Sequence, residues 1–403
     1  MTNIDAQELN QELNPGDQIR LIPTEMVHKG ETIARHNGQV VFISGAIPGE
    51  EVLVTITHRK KQYLEARVDE VITPSPHRSE PPCPYYGRCG GCQFQHIDYR
   101  HQLEMKREVV IDQLEHVGRF VDPPVSPTLP CDNQYEYRNH ARFTINRDGN
   151  LGFMQRGSHR FLQIDKCLLM HPWINETLAS LQDKCKGMTQ MSMRYGINTG
   201  DWLIQPPLKN PEITVESGQK YYYESLHGHK FRVASPSFFQ VNTAQAERLA
   251  EIAREEIGLT GDEVFVDAYA GVGTFAALFS PYVKKAIAIE ESAAAVADAR
   301  ENLEGLPNVE LVLDRVESYL SKLDVAPDVV LLDPPRSGCH PGTIKSILEY
   351  RPRTVVYVSC DPATLARDLR LLCDGGYALK KVQPVDMFPQ TYHIECVATL
   401  EFS

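Results

Sequence analysis

The segment Val264–Phe275 reads VFVDAYAGVGTF, and its reading decides the fold. An apolar run ends in Asp267 and breaks into a turn carrying Gly271 and Gly273, after which TFAALFS has helical composition. Strand, tight turn and helix follow one another, and the glycines let backbone approach a ligand at the helix N-terminus. Ala276 completes a G-x-G-x-x-A spacing, the formal pattern of a dinucleotide site; a strand–helix turn with no ligand has the same letters. Upstream, NTAQAERLAEIAREEIGL is a long amphipathic helix. Downstream, KKAIAIE, VELVL, DVVLLD, TVVYVS and HIECVATLEF are strands with helical stretches between most of them. This alternation predicts an α/β, doubly wound sheet.

The strand ends carry the chemistry. Glu290 closes the second strand about 20 residues beyond the glycines, where a carboxylate accepts both hydrogens of a ribose diol. Asp314, after the third strand, is placed for an adenine amino group. Each of these carboxylates alone is also compatible with a solvated strand end; together they describe a nucleoside pocket. DPPRSGCHP puts Asp333 at the mouth of the sheet, with prolines that stiffen the loop and Arg336, whose fixed cation suits a phosphate or a neighbouring acid. SCDPATLARDL puts Cys360 before a helix, where a thiolate would feel the positive helix end; a buried structural thiol is the bland reading. Near the C-terminus Glu395 starts a strand, with His393 two residues earlier.

The rest of the 403 residues divides into further parts. From Gly16 to about Val71, short β-type runs alternate with Gly and Pro, as in a small all-β barrel. TPSPHRSEPPCPYYG reads as a linker, followed by a cysteine cluster, a helix from about Tyr99 to Val117 and a mixed α+β region. The boundaries expected are 1–72 for the barrel, 73–230 for the central domain and 231–403 for the α/β domain. The net charge of −12 argues against bulk attraction to nucleic acid or anionic membrane. The N-terminal MTNIDAQELN is polar, and no apolar run is long enough for a membrane span, so a cytoplasmic location with no membrane partner is expected. Nothing in the sequence indicates an obligate protein partner.

A phosphate-rich partner therefore needs a local basic patch. The segment YRNHARFTINRDGNLGFMQRGSHRF gathers Arg138, Arg142, Arg147, Arg156 and Arg160, interleaved with Tyr137, Phe143, Phe153 and Phe161. Arginine pairs with phosphate and rings stack on splayed bases, the usual way single-stranded RNA is held; a solvated sheet face has the same composition. HRKK at His58–Lys61 adds charge in the barrel. Cys83, Cys89 and Cys92 form C-x5-C-x2-C in a Pro- and Gly-rich loop, spacing equally suited to zinc and to iron–sulfur, with Cys167, Cys131 and Cys185 as possible fourth ligands.

SPSFFQVN, DAYAGVGTF, DPPRSG, SCDP and the terminal HIEC together resemble the signature blocks of the RNA uridine-5-methyltransferase family, and the resemblance covers the whole chain. HKGETIARHNGQVVFISGAIPGE is similar to a TRAM domain, an RNA-binding β-barrel. The resemblance implies S-adenosylmethionine as methyl donor, with Gln240, Tyr269, Glu290 and Asp333 at the donor site, Cys360 as nucleophile and Glu395 as base. It also implies a four-iron, four-sulfur cluster on Cys83, Cys89, Cys92 and Cys167, for which a structural role is expected because methyl transfer changes no oxidation state. Barrel and cluster together look most like the members acting on 23S ribosomal RNA, with the T-loop uridine of transfer RNA as second target.

The chemistry asks for a thiol and a base independently. Carbon 5 of uracil is a poor nucleophile until a thiolate adds to carbon 6, and a base must then remove the carbon 5 proton. Cys339 raises the RNA 5-methylcytosine enzymes as a rival, but their motif has Cys directly after Asp-x-Pro, where Arg336 stands, so Cys339 is read as a packing residue. An NAD-dependent oxidoreductase explains the glycine turn but gives the thiol and acid no task. A catalytically silent RNA-binding protein explains only the barrel and the basic patch.

Overall fold

The computed structural model describes residues 12–402, so the reading of the polar N-terminal decapeptide lies outside the described residues. The chain forms two compact units, one of residues 1–109 with 390–392, the other of 110–389 with 393–403.

The first unit holds β1 (Gln18–Leu21), β2 (Glu25–Met26), β3 (Thr32–His36), β4 (Gln39–Ser44), β5 (Glu51–Arg59) and β6 (Tyr63–Thr73) in one six-stranded sheet, ordered β1-β5-β6-β4-β3-β2. Val52, Val54 and Ile56 alternate with exposed or half-buried neighbours, so one face of β5 closes on Val41, Ile43 and Leu64. The unit is pinned by Glu50, wholly buried, which accepts from Ile47 N, Ser75 N and the Arg78 guanidinium. Helix α1 (Tyr99–His116) follows in the chain.

In the second unit β7 (His140–Ile145), β8 (Leu151–Met154), β9 (Phe161–Gln163), β10 (Gln190–Tyr195) and β11 (Trp202–Gln205) make a sheet ordered β11-β10-β7-β8-β9, with α2 (Pro172–Leu181) against β10. A hairpin follows, β12 (Tyr221–Leu226) and β13 (His229–Ala234). Then come α3 (Thr243–Ile257), β14 (Val264–Ala268), α4 (Thr274–Phe279), β15 (Lys285–Glu290), α5 (Ala293–Asn302), β16 (Val309–Leu313) and α6 (Val316–Leu320). The chain ends with β17 (Val329–Leu332), α7 (Pro341–Tyr350), β18 (Thr354–Ser359), α8 (Pro362–Asp374), β19 (Tyr377–Val385) and β20 (Glu395–Phe402).

These last strands form a seven-stranded sheet, β16-β15-β14-β17-β18-β20-β19, parallel except for β20. The order reverses at β14, where helices on both faces leave a crevice at the carboxyl ends of the strands. It is the doubly wound α/β sheet that the alternation of strand and helix led one to expect, in the class I methyltransferase arrangement that the family resemblance implies. Strand β19 is absent from the sequence reading because YALKKVQPV breaks apolar alternation with two lysines and a proline, residues an edge strand tolerates. The core packs Phe265, Val329, Leu331, Val356 and Val397 against Leu249, Ala253 and Phe279. The hairpin joins it through Tyr222, Phe231 and Val233, which pack with Ala276 and Ala299.

Candidate active site

The segment that opened the sequence reading forms the floor of a cavity of about 1060 Å³ at the carboxyl ends of the sheet. Three features make its first turn. Tyr269 has φ of 69° and Gly271 of 56°, left-handed backbone that favours glycine. Glu290 bridges the turn to β15, accepting from Gly271 N at 2.9 Å and from Ser292 N at 2.7 Å. Beneath them Asp267 is fully buried, accepts from Ala276 N at 2.8 Å, and has no hydrogen-bond partner on its second oxygen. Burial, reinforced by Asp333 and Glu290, pushes its carboxyl up to about 7.

Gln240, Tyr269, Gly271, Glu290 and Asp333 all line the cavity, as do Arg336, His393, Cys360 and Glu395. Gly273 and Asp314 are not in its lining. Gly273 instead caps α4 with φ of 85°, and any Cβ there would lie 3.2 Å from Leu303. The Asp314 carboxylate turns onto the backbone N of its own neighbour Arg315 at 2.8 Å, and Arg315, Val316 and Glu317 take the wall that Asp314 was expected to form.

Cys360 and Glu395 are 35 residues apart in sequence and are brought together by strand pairing. In the antiparallel ladder of β18 and β20, Ser359 faces Cys396, which sets the residue after one opposite the residue before the other. Glu395 is buried, and its carboxyl is pushed up to about 8 by burial and by Asp333, against the pull of Arg336. The Cys360 thiol is pushed up to about 11, by burial first and then by Glu395, with Arg336 opposing. The expectation that the α8 terminus would lower this thiol is corrected. Asp361 caps that helix, accepting from Ala363 N and Thr364 N at 3.1 Å, and adds its own negative charge beside the sulfur. The Arg336 Nη2 lies 3.4 Å from His393 Nδ1, so the cation is held over the same end of the cavity.

Cys339 is buried in the cavity wall. Its backbone N donates to Asp368 Oδ2 at 2.8 Å, and its thiol, pushed up to about 12 by burial, meets the hydroxyls of Tyr269 and Tyr357. Tyr357 donates to the same Asp368 oxygen at 2.7 Å. Asp368 escaped the sequence reading, although a carboxylate on the apolar face of α8, among Leu365, Leu369 and Leu372, is a legible signal. Phe238 escaped as well: it is 71% exposed yet lines the cavity.

The aromatic part of the basic segment is corrected at two of its four rings, Tyr137 and Phe143, while Phe153 and Phe161 are half-buried. Strand pleating turns Arg142 outward and Phe143 inward, where it is wholly buried and stacks on Phe153 at 5.2 Å; Tyr137 is also buried. Arg147, Arg156 and Arg160 remain exposed. As for metal, the cysteine loop sets Cys83 close enough to Cys89 to disfavour its thiolate, and Cys167 is fixed before α2 by Asn175, which bonds both its N and its O. Among the described residues no three of His, Cys, Asp or Glu form a metal-holding group. No chemical step is assigned to the four-thiol site expected from the sequence. Among the described residues no helix is long and apolar enough to cross a membrane.

Comparison with known proteins gives the family. Residues 217–402 match the family model tRNA (Uracil-5-)-methyltransferase, and residues 15–68 match the TRAM domain. An "uncharacterized RNA methyltransferase" of Gloeobacter violaceus is 35% identical, covering 96% of this chain and 97% of that one. The chain belongs to the RNA uracil-5-methyltransferase family. One from Halalkalibacterium halodurans is 36% identical over 96% of this chain and 98% of the relative. Among solved structures, the Pyrococcus abyssi tRNA (uracil-54, C5)-methyltransferase in complex with S-adenosyl-L-homocysteine superposes with a TM-score of 0.74 at 25% identity, covering 94% of this chain and 99% of that one. This family member is thus an S-adenosylmethionine-dependent RNA methyltransferase.

Proposed function

We propose that this protein methylates carbon 5 of a uridine in RNA through a transient bond between Cys360 and carbon 6 of the base. The observation that carries the proposal is the meeting of Cys360 and Glu395 in the same cavity as Gln240, Tyr269, Gly271, Glu290 and Asp333. The last five are proposed to hold S-adenosylmethionine, which supplies an electrophilic methyl group on a sulfonium. The orphaned oxygen of Asp267 and the ring of carboxylates around the floor fit a cationic donor.

Cys360 adds to carbon 6, leaving an enolate whose carbon 5 takes the methyl group, with the departing thioether keeping the carbon–sulfur electron pair. Glu395 in its carboxylate form then removes the carbon 5 proton, the carbon 5–carbon 6 double bond returns and the Cys360 thiolate leaves. Arg336 favours the ionised forms of both residues. The target base enters a closed site, so it must leave its stack.

Ribosomal RNA is the proposed substrate, on the strength of the sequence resemblance. Transfer RNA is the second reading, favoured by the Pyrococcus neighbour, whose chain is matched almost completely. Mass-spectrometric mapping of 5-methyluridine in both RNAs from a deletion strain decides between them. Cys360→Ser is expected to abolish methylation while retaining affinity for S-adenosylhomocysteine by calorimetry; turnover at the wild-type rate would remove Cys360 from the reaction. The spacing of Cys83, Cys89 and Cys92 and the resemblance also support a proposed structural iron–sulfur cluster with Cys167. Anaerobically purified protein is expected to be brown and to contain iron and acid-labile sulfide. Colourless protein with stoichiometric zinc would overturn that part.

A further inference from the structure

The β12–β13 hairpin has one face committed to the core and one partly open to solvent. Tyr222, Leu226, Phe231 and Val233 are buried beneath it. The other face carries Tyr221, Tyr223 and Ser225 on one strand, paired with Ala234, Arg232 and Lys230 on the other. The two tyrosine rings meet edge to face at 5.6 Å, and Tyr221 is 43% exposed. Lys230 Nζ stands 4.0 Å from the centre of the Tyr223 ring, and the Arg232 guanidinium 5.3 Å from that of Tyr221. Arg232 is neutralised by Asp298 and Glu301 and serves to hold the ring. Lys230 has no ion pair among the described residues; exposed Lys220 lies at the other end of the hairpin, opposite Ser235.

Along the chain this face leads towards the cavity, which Phe238, four residues beyond Ala234, lines. Tyr221 pairs with Ala234, and the chain then enters the loop that presents Phe238. That loop is rigid: Ser237 Oγ donates to Asp298 at 2.6 Å, and Ser237 O accepts from Arg194 Nη2 at 2.8 Å. A pinned loop that keeps a phenylalanine mostly in solvent at the edge of a catalytic cavity is an apolar surface with no partner inside the protein. The reach from Ala234 to Phe238 is at most about 13 Å, the length of roughly four stacked nucleotides at ~3.4 Å each.

We infer that Tyr221, Tyr223 and Lys230 form a track for single-stranded RNA, on which nucleotides from about four (at Tyr221) to about eight (at Lys230, four residues further along β13) from the target uridine stack and lay down phosphate. The inference rests on the RNA reading of the cavity and adds the side from which the strand arrives. The exposed Tyr221 ring and the half-buried Tyr223 ring, each held by a cation, are preorganised surfaces for bases, and Lys230, without an ion pair among the described residues, supplies the charge a phosphate requires. A protein surface would gain from the rings but leave Lys230 without a counter-charge.

Fluorescence anisotropy with a labelled single-stranded RNA of about 20 nucleotides tests it. Tyr221→Ala is expected to weaken binding about fivefold or more, the range for loss of one stacked base. Lys230→Gln is expected to lower the slope of log affinity against log salt by about 0.7, as for one phosphate contact on a single strand. The control is Tyr282→Ala: Tyr282 is equally exposed and also lies under an arginine, Arg254, but precedes β15, at the strand end opposite the cavity. Affinity and salt slope indistinguishable from that control would overturn the track. So would loss of methyl transfer to ribosomal RNA from a deletion strain with RNA affinity unchanged. Affinity for S-adenosylhomocysteine and the melting temperature are expected to stay at wild-type values. Because binding is read without turnover, failure of the proposed reaction would leave this test intact.

Discussion

Replacing Arg336 by alanine isolates the charge that makes Cys360 usable. The thiol is pushed up to about 11 by burial and by Glu395, with the Arg336 cation opposing. Three pH units below that value, at pH 8, about one thiol in a thousand is ionised. An adjacent opposite charge shifts a titrating group by roughly 1–3 units; because Arg336 is exposed, water screens it and the low end of the range applies. Loss of about one unit of support means about tenfold less thiolate at any pH below the thiol's own midpoint. The assay is iodoacetamide labelling of the folded protein followed by peptide mass spectrometry, which separates Cys360 from Cys339 and Cys396. Arg336→Ala is expected to label Cys360 about tenfold more slowly at pH 8, with the deficit shrinking in the wild type's favourable charge as salt is raised. Glu395→Gln is expected to act in the opposite sense, and only where Glu395 is ionised: its carboxyl sits at about 8, so the variant should outpace the wild type above that pH and match it near pH 6. Equal labelling rates for Arg336→Ala and wild type, with both proteins folded, would refute the electrostatic account.

Further outcomes follow from the same geometry. Glu395→Gln is expected to form the RNA adduct on Cys360 but release it at least about a hundredfold more slowly, seen as a stable RNA–protein band on a denaturing gel; normal turnover without such a band would remove Glu395 as base. Asp267→Asn tests the buried floor: a carboxyl raised to about 7 in the folded state contributes stability below its unfolded value near 3.9 and loses it as pH rises through 7. The variant should therefore gain melting temperature relative to wild type between pH 5 and pH 8, and an equal pH dependence in both proteins would contradict the burial argument. In the first unit Glu50→Ala is expected to cost about 3–5 kcal/mol by leaving Arg78 without its buried partner, measured by urea unfolding of the full chain. Since Glu50 is held below the usual carboxylate range, that contribution is present at neutral pH and is lost as pH falls through its folded value.

Much of the fold is written locally. The apolar runs between Val264 and Ser359, each followed by helical periodicity, require a parallel sheet, because buried strands need crossovers and those crossovers are the helices. The glycine turn after Asp267 and the strand-end positions of Glu290, Asp333 and Cys360 are equally visible in the letters. Residues whose role is to present a group at the end of a strand are legible because the strand is. What failed locally were readings of surroundings. Cys360 was expected to be activated by a helix end, but burial and Glu395 push the thiol up, and the capping carboxylate of Asp361 adds to that. Asp314 stood at the right spacing, but a carboxylate beside a free backbone N–H bonds it rather than pointing onward.

The sequence by itself determined the class of sheet, the chemistry available at its edge and the family to which the chain belongs. It did so because strand, turn and helix preferences act over a few residues. Only the tertiary structure decided that Glu395 lies beside Cys360, since that depends on the antiparallel insertion of β20 between β18 and β19. The same folding buried Phe143 and left Phe238 and Tyr221 outside. Ionisation of the thiol and the acids follows burial and neighbouring charge, both of which exist only once distant segments have been packed together.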